Sequence, residues 1–502
     1  MLFRSVLSES DREYLENKGI VMSASVREKA FTQRFYLYLI MTKSAEKLYM
    51  SYAVKNSEGA VLMPSYIIRN MRKMFSHCLK LSYKDTAQQN SYVTIPHAAY
   101  SYEQTETAAN VDEDIIDSLT GGRLVGSVTS FENFAECPLR YYLRYGVDLK
   151  EREEFTFSPV NFGVVLHAVI REVCDEIKKN GESYYLISEE KRREMVKRSV
   201  AAITDIYQNS ILKDSSRNSF MIKRMEDLAD RTIWAMGEQL KCGDFVPFVF
   251  EHKFNMEVGD GDRKQLMSGT IDRVDICENG TDVYVRIIDY KTGKKDFNIV
   301  KTYYGIDIQL MVYMEAAMKL VAKMRPGKNV IPAGVFYYNI SDPIVSATTE
   351  SAEEIEDKIK GELRLKGMVN SDKDIVEKMD NTEGTSLNIP VSRKADGGFD
   401  SRRSKVMNTE QFNMLGRFVD VRAVDTADRI AGGDIRRSPY KDGQFSSCDR
   451  CPYGAVCGFS VDLPGCNYRK LKKFDDEVLW NNIKEGVDEN GKKMDTGAEE
   501  CD

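Results

Sequence analysis

Two stretches of the chain, Gly269-Thr-Ile-Asp-Arg-Val-Asp275 and Arg286-Ile-Ile-Asp-Tyr-Lys-Thr-Gly293, decide its fold. Both are rich in β-branched residues, which pack well on the pleated surface of a sheet. The segment between them contains Asn279-Gly280, the strongest short-range signal for a tight hairpin turn. The sequence therefore predicts two antiparallel strands joined by a turn next to Gly280.

The predicted hairpin brings three charged side chains to one face. Side chains alternate along a strand, so Asp289 and Lys291 project to the same side. Residues at equal offset from the turn lie opposite one another, which places Asp272 across from Asp289. Two opposed carboxylates are destabilising unless a cation lies between them, and Mg²⁺ binds carboxylates of this kind. An Asp-x-Lys pair by itself is more typical of a solvated strand face, so the metal-site hypothesis depends on Asp272.

The surrounding sequence predicts an α/β arrangement. A strand precedes the hairpin at 246–258, and a helix from about 305 to 323 and a strand at 333–340 follow it. An amphipathic helix is predicted at about 161–179, with charged helices over 188–240. A capping-box pattern at 129–132 predicts the start of a helix that runs through Cys137. Residues 35–53 are predicted to form a helix leading into a buried strand.

Composition limits the class of protein. The chain has 502 residues, 42% hydrophobic and 30% charged, which is typical of a globular protein of about two to four domains. No apolar run approaches the length of about 18 residues that spans a bilayer, and we expect a cytosolic protein. The net charge of −7 argues against a compact basic DNA-binding protein. It leaves room for a nuclease with a local basic groove.

The cysteines indicate a metal or cluster site. Three of the ten form a Cys448-x2-Cys451-x5-Cys457 group, which in a reducing compartment indicates metal binding. Cys137, which precedes a proline as Cys451 does, is the best candidate for a fourth ligand, and Cys466 is the local competitor. Four thiolates hold either zinc or a [4Fe–4S] cluster, and spacing alone leaves both open.

Taken together, these motifs resemble the RecB-type nucleases of the PD-(D/E)xK fold. The resemblance rests on the two quoted stretches, on Gln309-Leu-Met-Val-Tyr313, and on Gly163-Val-Val-Leu-His167. It implies an α/β nuclease core, a mixed central sheet flanked by helices. It also implies a bound Mg²⁺ or Mn²⁺, with Lys291 assisting hydrolysis. The implied metal ligands are His167, Asp272 and Asp289, and the implied catalytic set is Asp272, Asp289, Lys291, Gln309 and Tyr313.

Each of the weaker positions has a plainer interpretation. His167 lies on the apolar stripe of its predicted helix, where a core histidine is common. Gln309 and Tyr313 are one helical turn apart, so Tyr313 as a core residue with Gln309 at its border would also fit. Glu251, on the preceding strand, is a further candidate to support the site.

The order of the cysteines around the nuclease motifs resembles AddB-like subunits of bacterial helicase–nucleases. That resemblance implies a [4Fe–4S] cluster on Cys137, Cys448, Cys451 and Cys457. It implies a nuclease domain at 126–476, preceded at 1–125 by the end of an inactive helicase-like domain and a linker. Residues 477–502 are predicted to be an acidic, disordered tail. The chain has no GxxxxGK[ST] motif, so we expect no ATP hydrolysis and a motor outside this sequence.

The function implied is that of a Mg²⁺-dependent exonuclease subunit that cuts the 5′-ended strand. Its complex would resect double-strand breaks for recombinational repair in the bacterial cytoplasm. Its partners would be DNA, as double-strand ends and single strands, and an AddA-like helicase–nuclease subunit. Two alternatives remain open from sequence: a free-standing iron–sulfur exonuclease, and a non-catalytic DNA-binding scaffold carrying zinc.

Overall fold

A computed structural model describes residues 9–19, 26–54, 61–75, 110–112, 114–116, 125–150, 159–206, 216–258, 265–345, 351–461 and 466–488. The chain divides into two units, 1–101 and 102–502. No helix among the described residues has both the length and the apolar character needed to cross a membrane.

The first unit contains three described helices: α1 (Glu9–Asn17), α2 (Val26–Thr42) and α3 (Tyr66–Met74). The predicted strand after α2 does not form, because residues 43–54 are exposed and lie outside any strand. Without a neighbouring strand to share its backbone hydrogen bonds, an apolar segment does not become a strand by composition alone. That part of the sequence-based prediction is wrong.

The second unit is built on one mixed sheet of seven strands. The strand β3 runs antiparallel to β2 along one side and antiparallel to β4 along the other. Parallel pairing then connects β1 to β3 and β4 to β5. The strands are β1 (Val125–Ser127), β2 (Val246–Val258), β3 (Gln265–Asn279), β4 (Asp282–Lys291), β5 (Asn329–Asn339), β6 (Lys366–Asn370) and β7 (Val406–Met407).

Helices cover both faces of this sheet, so each face has its own hydrophobic core. One core is formed with α6 (Pro159–Lys179), α7 (Glu189–Ile206) and α8 (Ser216–Lys241). The other is formed with α10 (Gln309–Met324), α13 (Thr409–Ala431) and α15 (Asp476–Asp488). The α/β fold with a mixed sheet between helices confirms the predicted fold class. The shorter helices are α4 (Val128–Glu136), α5 (Pro138–Tyr141), α9 (Ile299–Tyr303), α11 (Ala352–Glu362), α12 (Lys373–Met379) and α14 (Gly454–Cys457).

The hairpin has the predicted register. Pairing runs from Asn279 opposite Asp282 to Arg273 opposite Ile288. The same register, extended by one residue, sets Asp272 opposite Asp289. A small separate sheet, β8 (Tyr440–Asp442), β9 (Phe445–Ser446) and β10 (Arg469–Lys470), brackets the cysteine-rich segment.

The second aspartate of the first quoted stretch has a structural role. Asp275 is fully buried between two buried arginines, Arg273 and Arg286, at 2.7 and 2.9 Å. The guanidinium groups hold the pKa of Asp275 below its usual value despite the opposing effect of burial. Removing one member would leave an uncompensated buried charge, which is strongly destabilising. This triad therefore fixes the face of the hairpin that points away from Asp272 and Asp289.

Three local predictions are wrong. The helix α4 begins after Ser127, whose hydroxyl accepts from Ser130 N, so the pattern at 129–132 is not its capping box. It ends at Glu136, because Cys137 has an extended backbone with φ −168°. The predicted helix from about 305 is divided into α9 and α10, and α10 begins at Gln309.

The expected disordered tail is also wrong for its first part. Residues 476–488 form α15, in which Leu479 and Ile483 are 3% and 0% exposed. These two apolar side chains, one turn apart, pack into the core beside α13 and outweigh the acidic composition. Residues 489–502 lie outside the described residues, as does most of the predicted linker.

Candidate active site

Three carboxylates lie in one row across adjacent strands. Phe250 and His252 of β2 pair with Arg273 and Ile271 of β3, which sets Glu251 at the level of Asp272. In the hairpin register, Asp289 of β4 is at the same level. Asp272 and Asp289 are 8% and 2% exposed, so the row is largely removed from water.

His167 of α6 completes a ligand group with two of these carboxylates. Its Nδ1 lies 3.5 Å from Asp272 Oδ2 and 3.7 Å from Glu251 Oε1. The ligand atoms of His167, Glu251 and Asp272 all lie within 4.8 Å of one another. Asp289 is not part of that tightest group. The structure thus brings Glu251 into the position beside His167 and Asp272 that the sequence analysis assigned to Asp289.

Glu251 has an unusual backbone. Its φ is +47°, in the left-handed region that non-glycine residues seldom occupy. Such a conformation costs roughly 1–3 kcal/mol and persists where the surroundings impose it, often at functional sites. The strained residue is also the one whose side chain joins the His167 group. Strain at this position is consistent with a side chain held for ligand binding.

The site electrostatics favour a bound cation. Burial raises the pKa of Asp289 to about 6, and the nearby Asp272 adds to the effect while Lys291 opposes it. Burial would lower the pKa of His167, but its hydrogen bonds with Asp272 and Glu251 outweigh burial and raise it to about 10. Without a metal, a proton on each of these groups relieves the crowding of negative charge.

Lys291, Gln309 and Tyr313 form a chain of contacts ending at Asp289. Lys291 Nζ lies 2.5 Å from Asp289 Oδ2 and donates to Gln309 Oε1 at 3.0 Å. Gln309 Nε2 donates to Asp289 Oδ1 at 3.1 Å and to the Tyr313 hydroxyl at 3.0 Å. All four residues named from the sequence are therefore connected by direct contacts. Gln309 connects the helix α10 to both charged groups of the strand.

Glu132 is a residue of this region that the sequence analysis assigned to a different role. Its Oε1 accepts hydrogen bonds from the backbone amides of Ile308 and Gln309, at 2.9 and 3.0 Å. These amides belong to the first turn of α10, where helix N–H groups have no partner of their own. Burial raises the pKa of Glu132 to about 7, with Lys295 opposing the shift. The carboxyl group therefore holds the helix end that presents Gln309.

The cysteines predicted to share a cluster also come together. The pKa of Cys137 is raised by burial and by the charge of Cys457. That of Cys448 is raised to about 11, by burial and then by the charges of Cys137, Cys451 and Cys457. Cys466 is close enough to Cys457 to affect its pKa in the same way. The structure therefore gathers the four predicted cysteines and their local competitor into one region.

Hydrogen bonds already connect the two ends of this cysteine region. The Tyr453 hydroxyl donates to Leu149 O at 2.9 Å, and Leu139 N donates to Arg436 O at 3.2 Å. Arg469 donates to the carbonyl of Ala135. The segment around Cys137 thus packs against a segment some 300 residues later, as the order of the cysteines along the sequence predicted.

The PD-(D/E)XK nuclease superfamily matches the chain over residues 126–458. The chain belongs to this superfamily. The match begins at β1, includes the whole seven-stranded sheet and ends just after Cys457. Membership confirms the resemblance that the two hairpin stretches indicated.

The chain is also similar to curated members of one group of nuclease subunits, each named as the second subunit of an ATP-dependent helicase/deoxyribonuclease. The relative from Clostridium acetobutylicum is 30% identical, over 97% of this chain and 47% of the relative. Those from Lachnoclostridium phytofermentans and Caldanaerobacter subterraneus subsp. tengcongensis are 31% and 30% identical, each over 99% of this chain and 47% of the relative. The chain spans about half the length of the curated relatives it matches.

Within the PD-(D/E)XK nuclease core, sequence reasoning found the residues of the hairpin, α6 and α10 and weighted two others too lightly. Glu251 was only a minor candidate, because its alignment with Asp272 depends on a bulge between Pro247 and Val249 that shifts the register of β2. Glu132 looked like part of a local capping box, while its partners are 176 and 177 residues away. A carboxylate just before a cysteine-containing helix end carried no signal of that contact.

Proposed function

We propose that this chain is a metal-dependent deoxyribonuclease that hydrolyses phosphodiester bonds at the row formed by Glu251, Asp272 and Asp289. The observation that carries the proposal is the convergence of His167 Nδ1 on Asp272 and Glu251, at 3.5 and 3.7 Å, beside an intact Asp289–Lys291 pair. Superfamily membership supports the reaction class. The catalytic group would be Asp272, Asp289 and Lys291, with Gln309 and Tyr313 beside them.

The donor set fits Mg²⁺ or Mn²⁺. Carboxylate oxygens suit both ions, and an imidazole nitrogen is a better ligand for Mn²⁺ than for Mg²⁺. The buried Oδ2 of Asp289 receives no hydrogen bond of good geometry from a described residue, although Lys291 lies against it. An unsatisfied buried carboxylate oxygen is costly, and a cation would satisfy it. The ligands would be His167, Asp272 and Asp289, as the resemblance implies, with Glu251 added.

The chain's own groups suggest how they would share the reaction. A bound Mg²⁺ supplies a Lewis acid at the scissile phosphate. Lys291 is fixed between Asp289 Oδ2 and Gln309 Oε1, so its ammonium can orient an attacking water and stabilise developing phosphate charge. Tyr313 holds the other end of the Gln309 amide. The roles of Gln309 and Tyr313 are therefore to position Lys291 and Asp289.

We also propose that Cys137, Cys448, Cys451 and Cys457 hold a [4Fe–4S] cluster. Their proximity supports a shared group, and burial raises the thiol pKa of three of them, so a metal would be needed to hold them as thiolates. Among the described cysteines no three thiols converge within 4.8 Å. Zinc, bonded at about 2.3 Å to each sulfur, would hold them about 3.8 Å apart, so this spacing favours the larger cluster. Joining positions over 300 residues apart would remove much unfolded-state entropy.

The names of the curated relatives suggest the assembly in which this nuclease works. We propose that it acts with an AddA-like helicase–nuclease subunit, cuts the 5′-ended strand and resects double-strand breaks for recombination in the bacterial cytoplasm. Support comes from similarity over nearly the whole chain to proteins named as one subunit of an ATP-dependent helicase/deoxyribonuclease. DNA ends and single strands would be its substrates.

Cleavage of end-labelled linear DNA by the full chain tests the proposal. The purified chain should degrade the DNA with Mg²⁺ or Mn²⁺, lose activity in EDTA, and recover it when the metal is returned. Asp289→Asn should be inactive in the same assay, with the far-ultraviolet circular dichroism of the wild type. Metal-independent cleavage, or full activity of Asp289→Asn, would remove the proposed active site.

A second arm tests the assembly. Tagged chain should retain a large motor subunit when purified from a bacterial extract in which that subunit is co-expressed. Strand-specific labels then report the polarity, and release of label from the 5′-ended strand is expected. Robust exonuclease activity of the chain alone, with no motor protein retained, would favour a free-standing exonuclease.

A further inference from the structure

A cleft of about 460 Å³ opens next to the carboxylate row. Its walls come from Ser127 and the first turn of α4, from 253–255 of β2, from 268–270 of β3 and from Tyr313 of α10. This volume falls in the range of pockets that hold small organic ligands. None of these residues belongs to the metal-ligand group.

The cleft continues the active site along the same strands. Lys253 lies two residues beyond Glu251, and Thr270 lies two residues before Asp272, a distance of about 6.6 Å along a strand. Tyr313 lines the cleft and also accepts from Gln309 Nε2, which contacts Asp289. A polymer cut at the carboxylates would therefore extend into this space.

The polar lining suits an anion. No acidic residue lines the cleft, although three carboxylates lie next to it. Lys253 is exposed and forms no ion pair with a described residue. The hydroxyls of Thr129 and Thr270 add neutral hydrogen-bonding groups, and Val128 and Thr129 belong to the first turn of a helix, whose amides lack helical partners. Phosphate contacts in DNA complexes are made by groups of these kinds.

The apolar part of the lining suits a base. Phe254 and Tyr313 meet edge to face, with ring centroids 5.6 Å apart. Gly269 lies under both rings: a Cβ there would come within 2.6 Å of Phe254 and 3.0 Å of Tyr313. Any larger residue would displace the rings, so glycine keeps them in the cleft wall. An aromatic ring in such a wall offers a surface on which an unpaired base stacks.

We propose that this cleft binds the nucleotide adjoining the scissile phosphate in a single DNA strand. Its phosphate contacts Lys253 and the first turn of α4, and its base stacks on Phe254. This inference rests on the proposed nuclease function and specifies its substrate as a single strand. A base within a duplex is already paired and stacked, so it cannot present a face to the ring without first leaving the helix.

Binding of a fluorescein-labelled decathymidylate to the full chain in EDTA tests the cleft without cleavage. Lys253→Ala should weaken binding about tenfold and reduce the slope of log Kd against log salt by about 0.7, the value for one phosphate on a single strand. The matched control is Lys223→Ala, which removes a likewise exposed lysine from α8, on the opposite core of the sheet. Wild-type affinity and slope in Lys253→Ala would overturn the proposal.

A second variant tests stacking independently. Phe254→Leu should weaken binding of decathymidylate about fivefold and leave binding of an abasic strand of the same length unchanged. A blunt hairpin duplex should show a smaller loss than the single strand in both variants. Equal losses on the duplex and the single strand would overturn the assignment to single strands.

Steady-state kinetics separate failure of the cleft from failure of the active site. In Mg²⁺, Lys253→Ala should raise KM about tenfold and affect kcat far less, as expected of binding away from the reacting atoms. If Asp289→Asn remains active while Lys253→Ala loses affinity, the nuclease assignment fails and the cleft stands. If Asp289→Asn is inactive while both cleft variants bind normally, the cleft alone fails.

Discussion

The backbone amide of Tyr290 donates a 2.7 Å hydrogen bond to Oδ2 of Asp272. Tyr290 lies between Asp289 and Lys291, so this bond joins the first carboxylate directly to the strand that carries the other two charged groups. Regular pairing of the hairpin ends one residue earlier, at Arg273 and Ile288. A side chain thus replaces the backbone ladder where the site begins, and it fixes how far apart the carboxylates lie.

The first prediction concerns the two hairpin aspartates. Asp272→Asn and Asp289→Asn should each reduce Mg²⁺-dependent cleavage by about a thousandfold or more, since each removes charge from the proposed metal site. Asp282→Asn, at the turn of the same hairpin, is the control and should retain wild-type rates. Rates are measured on end-labelled DNA, with circular dichroism to establish folding. Comparable losses in all three variants would indicate general damage to the hairpin.

A second prediction uses the strained backbone of Glu251. Glu251→Gly should stabilise the metal-free chain by about 1 kcal/mol, because glycine adopts positive φ without strain, while it lowers cleavage. Glu251→Gln should raise the Mg²⁺ concentration for half-maximal activity about tenfold and leave stability nearly unchanged. Thermal unfolding in EDTA and metal titration of activity report the two effects. A less stable Glu251→Gly variant would contradict the strain argument.

A third prediction concerns Glu132, which acts through Gln309 and not on substrate. Glu132→Ala removes the acceptor for two amides of α10 and should lower kcat about tenfold with little change in KM. Glu132→Gln keeps an acceptor oxygen at the same place and should restore most of the rate. Similar kcat values for the Ala and Gln variants would show that the acceptor is not what matters.

The fourth prediction distinguishes the cysteines. Protein purified without oxygen should absorb near 400 nm, as a brown protein does, and Cys451→Ser should lose that absorbance and several degrees of thermal stability. Cys466→Ser should keep both, because Cys466 is not among the proposed ligands. A colourless wild type containing one zinc per chain would replace the cluster with a zinc site. Loss of colour in Cys466→Ser, with colour kept in Cys137→Ser, would exchange the fourth ligand.

The fifth prediction concerns pH and stability. Burial and a hydrogen bond with Glu315 raise the pKa of Asp420 to about 8. The folded state therefore holds a proton that the unfolded state releases near pH 4, so stability falls as pH rises from about 4 to about 8. Between pH 5.5 and 8.5 the melting temperature of the wild type should drop roughly 2–4 °C further than that of Asp420→Asn. Equal drops would rule out a buried proton at this carboxyl.

Much of the site could be predicted from sequence because its signals are local. The turn at Gly280 and the alternation of side chains were enough to align Asp272 with Asp289 and to place Lys291 on the same face. His167 lies on a helix whose period is plain in the sequence, and that helix is Pro159–Lys179 in the structure. Local rules also misled where a residue had a distant partner, as with Glu132.

The sequence by itself determined the hairpin and its charged face, because strand period and turn chemistry act over a few residues. Only the tertiary structure decided that Glu251 joins His167. A bulge before it shifts β2 by one residue, and without that shift Phe250 would lie opposite Asp272. Only the fold, too, brings the Glu132 carboxyl to α10 and Cys137 beside Cys457. Such contacts join residues 176 to 320 positions apart, and they form because two packed layers meet, a condition that no short stretch of sequence records.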